Sequence, residues 1–393
     1  MSPVDSSVVM PGVIVLGGHV QAYGIIRVFG ELGIDSVIID NKKHNISKHS
    51  KYCKAFYLVS YRHTIRILLG LMGKGKYMNW VIYPTDDYYV RTLSENKALL
   101  SGHFTVAIDD WNTVEKFYDK RLSYPIAESV GVPIPKTYYI STMQSAIEQA
   151  DRIEFPSIIK PAVMKDFYDK LKVKAILCNN KDELIKGLER ASQVVDIDRL
   201  MLQEVIPGLF GSQFSVGVLF DGVKAANYII AKRKRQHPML FGNATTYAET
   251  VDIPELLAYA VKMLKKVGYK GVCEVEFKYD HRDGRYKFLE VNPRLWKWHL
   301  LAHKSHVPIL ESSYRYLVKG SFKATEGFES AAWIDIVTDL KARFDLLRKG
   351  IKYIDKEKNV IAAVYNKHDI APFLMQLVYL PCFALSSNRN CGV

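Results

Sequence analysis

Short aliphatic runs separated by amphipathic stretches set the plan of the chain. "GVIVLGG" and "SVIID" are apolar enough to be strands buried on both faces. Between them, "GHVQAYG" reads as a glycine-bearing loop, and "IIRVFGELG" repeats its apolar positions at helical spacing before closing on Gly33. "NWVIYPTDDYYVRTLSENKALL" repeats the strand, loop and helix. This alternation predicts an α/β unit with a parallel sheet over residues 11–112, and it puts the loop after the first strand where such sheets bind ligands.

The texture then changes toward α+β. "TVEKFYDKRLSYPIAESVGVPIPKTYYIS" reads as a helix, a Gly-Val-Pro-Ile-Pro connection that cannot be helical, and a strand. "FPSIIKPA" is a strand with Lys160 near its end, "KDELIKGLERAS" a capped helix, and "RLMLQEVIPG" a strand ending in a Pro-Gly break. "SQFSVGVLFDGVKAANYIIAKRK" predicts a hairpin turning at Asp221-Gly222, and "PELLAYAVKMLKKVGYKG" a helix with a Pro start and a Gly stop. Residues 330–393 read only as mixed α and β.

In "YKFLEVNPRLW" the polar residues Glu290, Asn292 and Arg294 recur every second position, so one strand face carries all three. Upstream, "GVCEVEFKYD" holds Glu276 in an apolar run. A three-residue loop, Arg282 to Gly284, would set Glu276 opposite Glu290 and Glu274 opposite Asn292. It would gather Val275, Phe277, Leu289 and Val291 on the other face. Opposed carboxylates repel, so they need a proton, basic partners or a cation. Magnesium prefers oxygen ligands and takes only one or two carboxylates from protein, which suits Glu276, Glu290 and the Asn292 amide oxygen. Salt bridges to Lys278, Lys297 or Arg294 are the alternative.

Composition narrows the classes. At 393 residues and 48% hydrophobic, the chain can build several cores, and no apolar run is long enough for a membrane span. The longest, Ile370 to Leu385, is broken by two prolines and reads as a packed C-terminal segment, with membrane contact through 370–385 the lesser reading. "MSPVDSSVVMPG" lacks the flanks of a signal peptide, and five scattered cysteines without a CxxC argue for a reducing cytoplasm with no disulfide frame or zinc site. The net charge of +13 is spread along the chain, densest at "KRKR", residues 232–235. Without repeats or zinc-finger and RNA-motif patterns, nucleic acid is not an expected partner.

Four pieces in order, Lys120 before "GVPIPKT", Lys160 in "SIIKPA", Glu204 in "MLQEVIPG", and "EVEF…FLEVNPR", resemble the ATP-grasp superfamily over residues 112–305. The resemblance implies a pre-ATP-grasp Rossmann-like domain (1–112), a small lobe (113–202), a catalytic lobe (203–320) and a C-terminal extension (321–393). It implies that Lys120 and Lys160 hold ATP phosphates. Gln203, Glu204, Val205 and Ile206 would meet adenine through the backbone, and Ser212 or Gln213 would meet the ribose. Glu276, Glu290 and Asn292 would hold Mg2+, for which Mn2+ could substitute. Arg294 would stabilise the tetrahedral intermediate, and an inward-facing pair, Arg233 and Arg235, would attract ATP or an acidic substrate.

The chain departs from the pattern after Lys160. "AVMKDFYDKLKVKA" has no glycine, so Lys165 or Lys170 is the candidate to close over phosphate. "GGHVQAYGIIRVFGE", "KPAVMKDFYDKLKVKA" and "KRKRQHP…FG" resemble the predicted carboxylate-amine ligase group that includes D-aspartate ligase. That implies ATP-dependent, ADP-forming amide synthesis from small-molecule carboxylate and amine substrates, amino-acid-like or envelope precursors, in a protein that could be a homodimer. An ATP-grasp enzyme with a non-amine acceptor and a non-catalytic nucleotide scaffold are the alternatives. His19, Asp86 and Asp87 are lesser candidates for substrate contact, and Asp40, at the end of the second strand, could mimic a ribose acid but reads rather as a turn residue. "WKWHLLAHKSH" is expected to be core rather than a site for His299, His303 and His306 on a metal.

Overall fold

The computed structural model describes residues 10–208, 211–237, 244–322, 324–351, 355 and 358–387. Three sheets organise them. The first is parallel, built from β1 (Val13–Leu16), β2 (Ser36–Asp40), β3 (Cys53–Leu58), β4 (Val81–Pro84) and β5 (Thr105–Val106) in the order β3-β2-β1-β4-β5. Its central strands are wholly buried because helices cover both faces, as near-continuous aliphatic runs require. The strand order reverses at β1, so the crevice at the carboxyl ends of β1 and β4 is the natural ligand site. The expected loop after β1 is shorter than its sequence suggested: the helix runs His19–Glu31, so His19 and Gln21 lie in its first turn and only Gly17 and Gly18 remain as loop.

The second sheet is antiparallel, with β6 (Thr137–Tyr139), β7 (Ser157–Pro161), β8 (Ile176–Cys178) and β9 (Leu200–Glu204) in the order β6-β9-β7-β8. The helices Met143–Ala150 and Lys181–Ser192 close its core. The third sheet has seven strands: β10 (Gln213–Phe220), β11 (Ala225–His237), β12 (Ala244–Thr250), β13 (Gly271–Asp280), β14 (Arg285–Asn292), β15 (Ala332–Ile334) and β16 (Val360–Ala362). Their order is β14-β13-β10-β11-β12-β15-β16, so the two strands from the C-terminal region extend the large sheet instead of forming a separate body.

One face of this sheet carries Val216, Val218, Val275, Phe277, Phe288 and Val291 against the helix Pro254–Val267. The helices Trp111–Tyr118 and Lys120–Ser129 pack into that same core through Phe117, Tyr124 and Ala127. The Lys120 side chain therefore reaches the large sheet, while its amide donates to the Ala162 carbonyl just past β7 at 3.1 Å. Across the sheet, the Trp296 ring lies flat on β10 at Gly217, where an added Cβ would fall 1.9 Å from the indole. No larger residue fits there. Trp296 and Trp298 are buried, as the sequence led us to expect. His299 is buried with Nδ1 2.8 Å from the Trp296 carbonyl, while His303 and His306 face Glu31 and Glu329. These histidines do not converge, and no group of three or more His, Cys, Asp or Glu side chains placed to hold a metal occurs among the described residues.

The C-terminal apolar run forms the helix Ala371–Ser387. It is tied down by Tyr379, 2.8 Å from His49, and by Gln376, which donates to Asp335 at 3.3 Å, while Leu374, Leu377 and Val378 stay exposed. No helix among the described residues is long and apolar enough to cross a membrane.

Candidate functional site

Strands β13 and β14 place Glu276 opposite Glu290 and Glu274 opposite Asn292. The expected pairing is present, but the expected turn is not. Asp280 pairs with Arg285, leaving a four-residue loop, and the register shifts beyond Glu276 and Phe277. Leu289 is the extra residue. Phe288, not Leu289, then joins Val275, Phe277 and Val291 in the core. A bulge restores the alternation that the longer turn had reversed.

Both carboxylates are already answered by cations. Lys120 Nζ lies 3.0 Å from Glu290 Oε2, and Arg233 Nη2 lies 3.3 Å from Glu276 Oε2. Burial opposes charge on Glu290, but Lys120, followed by Lys174 and Lys160, outweighs it and holds the carboxyl well below its usual range. Lys120 is likewise penalised by burial, yet Glu290 and Tyr124 keep its ammonium above its ordinary value. Repulsion alone therefore does not demand a metal here. The case for one rests instead on the oxygen-rich donor set and its place in a cleft.

For the two carboxylates that case is sound, since both line one cavity and offer hard oxygen donors. Asn292 needs an adjustment. Its Nδ2 donates to Glu276 Oε1 (3.0 Å) and Glu274 Oε2 (3.2 Å), while its Oδ1 accepts from Arg294 at 3.2 Å. The carboxamide must turn over to present oxygen beside the pair. Glu274 is 4% exposed and also accepts from Trp298 Nε1 at 2.9 Å. Burial, reinforced by Glu276 and opposed by Arg233 and Arg294, pushes its carboxyl up to about 8.

The cavity measures about 530 Å³ and runs from these strands to the carboxyl ends of β1, β2 and β4. Arg294 spans it: Nε donates to Asp87 Oδ1 at 2.8 Å, joining the segment after β14 to the parallel-sheet unit. Burial works against its charge, but Asp87 and Glu274 hold it above its ordinary value. Asp86 caps the helix Asp87–Glu95 by accepting from the Tyr89 amide at 2.9 Å, and burial raises its carboxyl to about 6. His19 enters its helix at φ 69°, a left-handed conformation uncommon for a residue with a Cβ. Burial, with Lys42 and Lys297 adding to it, holds His19 down to about 4, so it is neutral near pH 7. Asp40 faces the same end and accepts from Asn45 Nδ2 and the Asn41 amide, both at 2.8 Å, as a turn residue would.

The remaining expected residues separate into two groups. Lys160 leaves β7 with Nζ 3.0 Å from the Tyr124 hydroxyl, close enough for its charge to help hold Glu290 ionised. Gln203, Glu204, Val205 and Ile206 end β9, away from the cavity lining. The Glu204 amide is committed to the Lys136 carbonyl at 3.0 Å, so it is not open to a base, and the Ile206 carbonyl accepts from Lys278 Nζ at 2.7 Å. The Glu204 side chain is a latch, reaching the Lys136 amide, Arg282 and Lys287 at 2.6–3.0 Å. Ser212 is buried, and its carbonyl accepts from the Tyr279 amide at 2.7 Å.

Arg235 corrects the reading of "KRKR". The register of β11 against β12 slips between Arg233 and Arg235, so the two arginines do not share a face. Arg233 enters the cavity. Arg235 is buried beneath the helix Ile336–Arg348, where Nε and Nη2 meet Asp339 at 2.7 and 2.8 Å and Nη1 meets Asp355 at 2.5 Å. It has no access to a substrate in the cavity. Sequence reading also passed over Lys174 and gave Glu274 no role. No local signal marks the bulge or the path that brings Lys174 inward.

Comparison with known proteins places this geometry. Residues 223–316 match the family model "Carbamoyl-phosphate synthase L chain, ATP binding domain". The structure of an ADP complex of N5-carboxyaminoimidazole ribonucleotide synthetase superposes with a TM-score of 0.66 at 14% identity, covering 90% of this chain and 92% of that one. The three-sheet architecture is therefore an ATP-grasp fold. Among curated proteins the chain is similar to D-aspartate ligase of Enterococcus faecium (strain Aus0004), at 24% identity over 316 residues, which cover 75% of this chain and 73% of that protein. It is also 24% identical over 214 residues to the carbamoyl phosphate synthase large chain of Methanobrevibacter smithii, but the match covers only 19% of that much longer protein.

Proposed function

We propose that the protein is an ATP- and Mg2+-dependent ligase that activates a carboxylate as its acyl-phosphate and transfers the acyl group to an amine. The observation that carries this reading is one cavity with Glu276, Glu290 and their cations at one end and the strand ends of the first unit at the other. A nucleotide held between the two antiparallel sheets and a small substrate held by the parallel sheet would meet in it. Similarity to D-aspartate ligase over three quarters of the chain favours an amine acceptor over a carbamoyl-type or kinase-like one. We place the enzyme in the cytoplasm, acting on amino-acid-like or envelope precursors, with Mn2+ able to replace Mg2+. The working domain division is 1–112, 113–202, 203–320 and 321–393.

The chain's own residues account for the steps as follows. Glu276, Glu290 and a turned Asn292 would hold the metal, which when bound screens the β- and γ-phosphate oxygens. Lys120 and Lys160 bind phosphate oxygens and hold the triphosphate in line with the entering carboxylate. That carboxylate takes the γ-phosphoryl group and ADP leaves. The amine, entering from the end lined by His19, Asp86 and Asp87, then attacks the acyl carbon and phosphate departs. Asp86 and Asp87 attract the amine, and Arg294 donates to the oxygen that gains charge in the tetrahedral intermediate.

Glu290→Gln tests the reading. It removes a metal oxygen and the partner of Lys120, and ADP release in a screen of acids crossed with amines should fall at least about 100-fold with the fold retained by circular dichroism. Unchanged turnover would show that the carboxylate pair is not the metal site. ADP release that never depends on an added amine would favour a different acceptor.

A further inference from the structure

More positive charge surrounds the carboxylate pair than the pair can answer. Lys120, Lys160, Lys174 and Arg233 stand around Glu276 and Glu290, an excess of two cations. Three of the four have partners: Lys120 in Glu290, Arg233 in Glu276, and Lys160 in the Tyr124 hydroxyl. Lys174 lines the cavity, and among the described residues no hydrogen bond or ion pair holds its ammonium. Burial makes its charge costly, Glu290 and Glu276 attract it, and Arg233 and Lys120 push it toward neutrality. Such a group lacks a negative partner of its own.

The local chain path explains how it gets there. After β7 delivers Lys160, the chain forms the helix Met164–Leu171, anchored by buried Phe167 in the small-sheet core, with Met164 and Tyr168 facing the cavity. The helix leaves only its first-turn N–H groups free, so this segment offers phosphates fewer backbone donors than a glycine-rich loop would. Lys172 ends the helix at φ 57°, in the left-handed region, and turns the chain back. Lys174 follows two residues later, just before β8 pairs with β7. Of the two alternatives from the sequence, the Lys165 side chain lies outside the described residues, and Lys170 donates to the Val194 carbonyl at 3.2 Å, outside the cavity.

The geometry points to Lys174 as the ligand of the terminal phosphoryl group of ATP, a side-chain contact in a segment that carries no glycine-rich loop. The assignment rests on the nucleotide reading above. It places Lys174 at the metal end of the triphosphate because Lys174 lines the same cavity as Glu276 and Glu290, and these are the acids that attract its charge. A metal-bound triphosphate is a dianion near neutral pH and matches the surplus charge.

Calorimetric titration with Mg2+ and either AMP-PNP or ADP tests it in the full chain. Lys174→Met should weaken AMP-PNP binding about tenfold or more and ADP binding less than about threefold, the loss of one charge-assisted contact. Lys174→Arg should restore most of the difference. Equal weakening of both nucleotides, or of neither, would overturn the assignment to the terminal phosphate. Failure of the wild-type protein to bind either nucleotide would overturn the nucleotide reading itself and this assignment with it, and the wild-type titration tells the two failures apart.

Discussion

Glu274 is the residue whose protonation is most plainly a matter of folding. Its carboxyl, pushed up to about 8 by burial with Glu276 adding to it, has an ordinary value of 4.5. Between those values the native protein keeps a proton that the unfolded chain has released, so stability falls as pH rises across that window. The favourable contribution is complete below about pH 4.5 and gone above about pH 8, at a slope of at most about 1.4 kcal/mol per pH unit. Without added metal, Glu274→Gln should therefore gain stability relative to wild type between pH 5 and pH 8.5, read from urea midpoints. A difference that does not move with pH would mean that Glu274 is ionised throughout. The partners of Glu274 explain why sequence gave it no role: Trp298 and Asn292 lie 24 and 18 residues away and meet it only after the strands pair.

At the scale of elements, much was legible because turn residues and aliphatic runs are local. The Asp221-Gly222 hairpin forms as read, with Asp221 Oδ1 accepting from the Val223 and Lys224 amides at 2.8 and 2.7 Å and Gly222 at φ 99°. The pairing of Glu276 with Glu290 was also reached, though by a shorter turn and without the bulge at Leu289. Bulges were out of reach, because cross-strand packing decides where an extra residue is absorbed. The slip beside Lys234 is the costliest case, since it moved Arg235 from the cavity to the back of the sheet. Arg235→Leu should leave Asp339 and Asp355 buried without their main partner and destabilise the fold by about 3–5 kcal/mol. Chemical denaturation measures this directly. The nucleotide KM of the protein that remains folded should stay within about threefold, as expected of a residue that binds no substrate. A large rise in KM without loss of stability would return Arg235 to the cavity.

Across the whole molecule, the cavity lies between the parallel sheet and the large sheet, which share one apolar core holding Val20, Tyr23 and Phe29 together with Leu219, Ile229 and Trp296. Among the described residues, the segment just after β14 reaches the parallel-sheet unit through the ion pair of Arg294 with Asp87, whose side chains are 16% and 53% exposed. Asp87→Asn removes the charge but keeps a hydrogen-bond acceptor. It should raise the acceptor KM several-fold, on the order of one charge-assisted contact, while AMP-PNP affinity holds. Initial rates at varied acceptor, beside a nucleotide titration, would show this. Weakened nucleotide binding with an unchanged acceptor KM would contradict the division of labour between the two ends.

Strand β11 enters the chamber with Arg233 and, past its irregularity, bolts to the rear helix with Arg235. The grip on Glu276 is thus stayed from behind, like a mast held by its backstay. Residues of the C-terminal region that never approach the chamber set how firmly that arginine stands, and slackening the rear anchor would first be felt as lost precision at the front.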